Sequence, residues 1–170
     1  MMKCLQVIKV LAGNDKVKTD AGRAGLLPLI VTSMDRHVTR AGLVEAGCSA
    51  LTSLTLRQPE NSVQVVRECE GALIITLVMS KHPTNRKVQS SAAAAIRNIV
   101  SRNKELCEAF LERGVEQLLT TAMEHHRTSI GDTIRSAQRD LGLKVEFVES
   151  WTGDKIKISE DFRETSDIPA

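Results

Sequence analysis

The feature that most constrains this chain is a period. Three apolar runs, each opened by a glycine, recur as Ala24-Gly25-Leu26-Leu27-Pro28-Leu29-Ile30, Glu70-Gly71-Ala72-Leu73-Ile74-Ile75-Thr76-Leu77 and Arg113-Gly114-Val115-Glu116-Gln117-Leu118-Leu119. Their glycines stand 46 and 43 residues apart. A second block, Ala50-Leu51-Thr52-Ser53-Leu54, returns as Ala95-Ile96-Arg97-Asn98-Ile99 and Ala137-Gln138-Arg139-Asp140-Leu141. With a weaker copy at Val7-Ile8-Lys9-Val10-Leu11, its spacings are 43, 45 and 42. Two independent anchors at one period identify a stacked structural unit of that length. Such a unit buries its apolar face against its neighbour, so the chain forms an array and not one closed core.

Inside the period the pattern is helical. Val88, Ala92, Ala95, Ile96, Ile99 and Val100 fall at i, i+4, i+7, i+8, i+11 and i+12, one apolar stripe of a helix. Pro83 closes the preceding helix, and Thr84 and Asn85 offer capping oxygens to the next. Each unit thus reads as a short helix, a turn at glycine, a medium helix, a polar loop and a long helix. The loops are predicted at Asp35-Arg36-His37, Lys81-His82-Pro83-Thr84 and Glu124-His125-His126-Arg127, which puts His37, His82 and His125 at one repeat position. Glycine at each first junction permits positive φ and close approach. With three Phe, one Trp and no Tyr, the chain also lacks the aromatic residues that strands usually draw on. Phe110 is expected in a helical core.

A three-helix unit of this length with a glycine at its first junction resembles the armadillo repeat. The resemblance spans residues 2–145 and implies an all-α fold, an armadillo-type right-handed superhelical solenoid. It divides the chain into the final helix of an incomplete repeat (1–12), three repeats (13–58, 59–102 and 103–145) and a capping segment with an acidic tail (146–170). Arg139-Asp140-Leu141-Gly142, followed by Val145-Glu146 and Trp151-Thr152-Gly153, is similar to the carboxyl end of one member of that family. In the leading helix, Leu5, Ile8 and Leu11 are expected to face an absent neighbour. That predicts self-association through this face, and the carboxyl part of a longer array or a divergent short homologue.

Composition narrows the function. Cys4, Cys48, Cys69 and Cys107 lie far apart with no CxxC pair, so they read as small hydrophobes and not as metal or redox ligands. Four free thiols and no signal-peptide pattern predict a cytoplasmic or nuclear protein. No apolar run reaches the roughly 20 residues of a membrane span, so no membrane is expected. His125 and His126, adjacent on a helix, point about 100° apart and share a metal poorly. Ser90-Ser91 reads as close-packing small residues. Without paired carboxylates, a GxSxG elbow or a phosphate loop, neither an enzyme nor a cofactor is expected.

Net charge is +2, unevenly spread: residues 1–145 carry 20 Lys and Arg against 14 Asp and Glu, and residues 146–170 carry 3 against 7. The mildly basic body leaves a nucleic-acid-associated protein as the alternative function. The clusters Arg86-Lys87 and Arg102-Asn103-Lys104 are short and without stacking aromatics, which argues against nucleic acid as the partner.

The resemblance favours a non-catalytic protein-interaction scaffold or adaptor. Stacked third helices would form a concave groove for an extended partner, and Asn98 falls where the family commonly places a backbone-clamping Asn. The matching positions are Val10, Ser53 and Asp140, so that ladder is broken. Four residues earlier, where nuclear-import adaptors carry Trp, stand Gln6, Ser49, Ala94 and Ser136, which argues against a nuclear-localisation-signal receptor. Four residues later stand Asn14, Arg57, Arg102 and Lys144, a basic row for an acidic peptide unless it merely complements helix dipoles. The expected partner-binding residues are therefore Ser53, Arg57, Asn98, Arg102, Asp140 and Lys144, and the expected partner is an extended or acidic protein segment. Val145, Phe147 and Trp151 are expected to cap the last repeat. From Gly153 onward, past which Phe162 is the one aromatic, the chain reads as an extended acidic tail.

Overall fold

In the computed structural model, which describes residues 2–145, helix is the only regular structure among the described residues. Helix α1 (Met2–Leu11) leads into α2 (Asp15–Arg23), α3 (Leu26–Arg36) and α4 (Ala41–Thr55). The order returns as α5 (Pro59–Val63), α6 (Gly71–Lys81) and α7 (Arg86–Val100), and then as α8 (Cys107–Leu111) and α9 (Val115–Asp140). Local chemistry sets the starts. The Asn14 side chain accepts from the Lys16 amide at 2.9 Å, the Asn85 side chain accepts from the Val88 amide at 3.2 Å, and Pro59 opens α5.

The longest interfaces run in chain order, α1 on α4, α4 on α7 and α7 on α9. The anchor residues identified by periodicity occupy one environment. Ala50, Ala95 and Ala137 are fully buried, as are Leu54 and Ile99, and Leu141 is nearly so. Small residues there let the long helices approach closely. Each buried Leu or Ile contributes about 1.5–3 kcal/mol. Phe110 lies in the same core.

Polar side chains bind one helix set to the next by satisfying carbonyls that helix ends leave open. The Asn61 amide donates to the carbonyls of Leu54 at 2.9 Å and Lys18 at 3.1 Å. Buried Lys18 donates from Nζ to the Leu56 carbonyl at 3.0 Å and to Asp15 at 2.7 Å. Asn103 donates to the Pro59 carbonyl at 2.9 Å, and Gln89 caps the end of α6 by donating to the Met79 and His82 carbonyls, both at 2.8 Å.

Four expectations need correction. The third polar loop is shortened to a kink: the two helical segments gathered in α9 (Val115–Asp140) meet at His126, and residues 124–127 hold no Pro or Gly to lengthen the break. The kink residue is His126 (φ −136°, ψ 21°), close in conformation to His37 (φ −126°, ψ 32°) and His82 (φ −130°, ψ 50°). The recurring histidine is therefore His126 and not His125. The second junction differs too. Gly25 and Gly114 take positive φ, but in the middle set that role falls to Glu70 (φ 56°), and Gly71 is helical. A single π-helical turn at Gln64–Glu68, closed by the Cys69 amide on the Gln64 carbonyl at 3.2 Å, precedes that junction. Gly71 is needed for closeness instead, since a Cβ there would sit 2.7 Å from the Val65 carbonyl oxygen.

The fourth correction concerns α1. Leu5 is buried and Ile8 half-buried against the core, so neither faces outward. The exposed apolar strip is Val7, Val10 and Leu11, at 55%, 78% and 55% exposure. Positions aligned with Leu5 and Ile8, namely Cys48, Leu51, Ala93 and Ile96, are all buried, and so are Ala50 and Leu54, aligned with Val7 and Leu11, so the exposure of Val7 and Leu11 comes from what packs on α1. Periodicity identified the stripe spacing without its direction. Phe147, Trp151 and Phe162, with the expected cap and tail, lie outside the described residues.

Candidate interaction surface

A groove of about 500 Å³ runs across the long helices, taking Lys9 from α1, Glu45, Ser49 and Ser53 from α4, Arg86, Lys87 and Ser90 from α7, and Ser129 from α9. Its hydroxyls are mostly tied to their own helices. Ser53 donates to the Ser49 carbonyl at 3.3 Å, Thr52 to the Cys48 carbonyl at 2.8 Å and Ser91 to the Lys87 carbonyl at 3.0 Å. Ser49 donates to the Glu45 carboxylate at 3.3 Å. The groove floor is thus polar but short-chained, open enough for a backbone to lie on it.

Lys9, Arg86 and Lys87 make no ion pair within the described residues, and they outnumber the single carboxylate of Glu45. Arg86 and Lys87 occupy the first turn of α7, where no acidic residue stands. Cations at a helix N-terminus oppose the macrodipole at a cost of about 0.3–1 kcal/mol each. Helix stability therefore does not explain them. The pair is visible in the sequence, where it is weighed only as a short basic cluster for nucleic acid.

The residues expected from the sequence are dispersed. Ser53 lines the groove. Asn98 is half-buried, and its amide donates to the Thr52 carbonyl at 2.8 Å, tying α7 to α4 and leaving one N–H and the oxygen free for other use. Asp140 pairs with Arg97 at 3.6 Å and Arg139 at 3.4 Å, so its charge is matched, and its backbone carbonyl accepts from Lys104 and Cys107. Arg57 and Arg102 are exposed. Lys144 lies apart, in a separate hollow with Thr120, Met123, Arg135 and Gln138.

Thiol chemistry is disfavoured at three of the four cysteines. Burial, with the Glu45 carboxylate nearby, pushes the Cys48 thiol up to about 12. Burial likewise raises Cys69, helped by Glu68, and Cys107, against a small opposing pull from Lys104. Each is protonated and poorly nucleophilic at neutral pH. No helix among the described residues is long and apolar enough to cross a membrane.

The arrangement is that of an all-helical repeat protein with a polar groove and no assembled catalytic group among the residues that line it. Comparison with known proteins supports the repeat reading. Over 58 residues the chain is 43% identical to "Armadillo repeat-containing protein 6" of Pongo abelii and to the human protein of that name. It is 37% identical over 60 residues to the "Armadillo repeat-containing protein 6 homolog" of Drosophila melanogaster. The match takes in 34% of this chain and 12% of the ape and human proteins, so the chain spans about an eighth of the length of these curated relatives. No family model matches the chain, and no solved structure gives a significant match.

Proposed function

We propose that the chain is a non-catalytic scaffold or adaptor, a right-handed superhelical solenoid of three-helix armadillo-type repeats bounded at 13–58, 59–102 and 103–145, working in the cytoplasm or nucleus. It holds an extended, acidic protein segment in the groove along α1, α4, α7 and α9. The observation that carries this reading is the set of unpaired cations Lys9, Arg86 and Lys87 in that groove, two of them placed against the dipole of their own helix. Ser53 and the free oxygen and N–H of Asn98 would contact the partner backbone. Arg57 and Arg102 would extend the positive field along one edge, while Asp140 and Lys144 would act at the far end of the stack.

The test is a fluorescence-polarisation titration with a labelled peptide of alternating Glu and Ser. Each exposed charge contact is worth about 0–1 kcal/mol, so reversal of Lys9, Arg86 and Lys87 together should weaken binding by about tenfold or more, and salt should weaken wild-type binding. Asn98→Ala should weaken it less. Binding unchanged by the triple reversal in a chain that still folds would remove the groove from consideration. A steep salt slope with a single-stranded oligonucleotide instead of the peptide would favour the nucleic-acid alternative.

A further inference from the structure

A second hollow, of about 460 Å³, opens between the two halves of α9, with Met123, Glu124 and Arg127 on one side and Arg135 and Gln138 on the other. The residues aligned with Arg135 are Cys48 and Ala93, and those aligned with Gln138 are Leu51 and Ile96. All four are fully buried beneath the following helix. This face of α9 is therefore the one that earlier long helices keep covered, and here it is polar, with Arg135 ion-paired to Asp132 at 2.6 Å beside Gln138. No further helix among the described residues covers it.

The chain is delivered to this hollow by its own geometry. After α9, the Leu143 amide donates to the Gln138 carbonyl at 2.9 Å and the Gly142 amide to the Arg139 carbonyl at 3.0 Å, with Gly142 at φ 80°. That is a Schellman turn, and it reverses the backbone across the helix end. Leu143 packs on the core and Lys144 already lines the hollow. The residues that follow are Glu146-Phe147-Val148-Glu149-Ser150-Trp151, two carboxylates interleaved with three apolar side chains. Arg127 and Lys144 have no ion pair within the described residues, and Met123 offers a half-buried apolar floor. Seven extended residues reach about 23 Å, enough to cross a pair of helices spaced about 10 Å apart.

We propose that this hollow is the docking site of residues 146–151 of the same chain. Their carboxylates face Arg127 and Lys144, and their apolar side chains cover Met123. The segment takes the place that a following helix takes on α4 and α7. This inference is independent of the groove.

Trp151 is the only tryptophan, so its fluorescence reports on the segment directly. In the full chain its emission should be blue-shifted from that of a free peptide of residues 146–170, and protected from iodide quenching. Arg127→Glu and Lys144→Glu, both at exposed positions, should each lower the docked-to-free ratio by up to about fivefold and raise quenching accordingly. Met123→Glu should release the segment further, with helical circular dichroism verifying that the chain stays folded. Reversal of Lys9 or Arg86 in the groove should leave the emission unchanged. Emission identical to the free peptide would overturn the proposal. So would a protected Trp151 that responds to the groove substitutions and not to those at Arg127 and Lys144.

Discussion

At the α1 end of the stack, Val7 and Leu11 are each 55% exposed, although their aligned counterparts Ala50 and Leu54 are fully buried. At the α9 end the outward face instead carries Arg135 and Gln138 where the inner helices bury Cys48, Ala93, Leu51 and Ile96. One end thus presents the apolar surface of an inner helix, and the other has exchanged that surface for polar and charged groups. An apolar face favours an apolar cover, while a polar and charged face favours a cover that matches its charges and hydrogen bonds. The difference teaches that position in the period does not decide a face's chemistry; what packs against it does.

The sharpest way to break this comparison is to move end-face chemistry inward. Ala93→Arg would bury an unpaired guanidinium between α7 and α9 and should cost about 4 kcal/mol or more, enough to unfold the chain. The reciprocal Arg135→Ala should stay within about 0.5 kcal/mol of wild type. Urea denaturation followed by circular dichroism separates the two, and equal costs would mean that the aligned faces are not equivalent.

Exchanging the ends tests the second half of the contrast. Val7→Asp with Val10→Asp should abolish self-association through α1 at high protein concentration, with little loss of stability. Arg135→Ala with Gln138→Leu should create association at the α9 end. Sedimentation velocity measures both. A wild-type chain that remains monomeric at high concentration would show that the Val7, Val10 and Leu11 strip is too small to drive pairing.

A smaller effect is expected at the middle junction, where Glu70 takes the conformation that Gly25 and Gly114 take elsewhere. Glu70→Gly should raise stability by about 1 kcal/mol by relieving the left-handed strain, read as a higher urea midpoint at constant slope. A loss of stability would indicate that the π turn and not the junction residue sets the geometry.

The smallest effect concerns acid. The Asp15 carboxyl is held below its ordinary value of 3.8 chiefly by its hydrogen bond with Lys18 and then by that residue's charge. A depressed carboxyl contributes stability that is present above pH 3.8 and lost as pH falls through the lower folded value. Hydrogen exchange on acidification should therefore quicken in α2, near the α1 end, before it quickens in α9. Simultaneous loosening of the two ends would remove Asp15–Lys18 as a local tie.

Much of the fold was legible in the residues alone. The apolar stripe from Val88 to Val100, the cap at Asn85, and the recurrence of Ala50, Ala95 and Ala137 depend on interactions within a few residues of one another or on strict repetition. Both leave their mark in one dimension. The candidate site was less legible. Arg86 and Lys87 are visible as a basic pair, but the groove that joins them to Lys9 and Ser53 exists only once α1, α4 and α7 lie side by side. Asn98 is visible in the repeat, yet its bond to the Thr52 carbonyl depends on a helix 46 residues away.

What the sequence by itself determined is the all-helical character, the period and the anchor positions, because hydrophobic periodicity and capping are local properties of the chain. What only the tertiary structure decided is direction and register. Leu5 turns inward while Val7 turns outward, Glu70 and not Gly71 takes the left-handed conformation, and the break expected in the third unit narrows to a kink at His126. Each depends on which neighbour covers a face and on which carbonyl a donor reaches, and those partners come from residues distant along the chain.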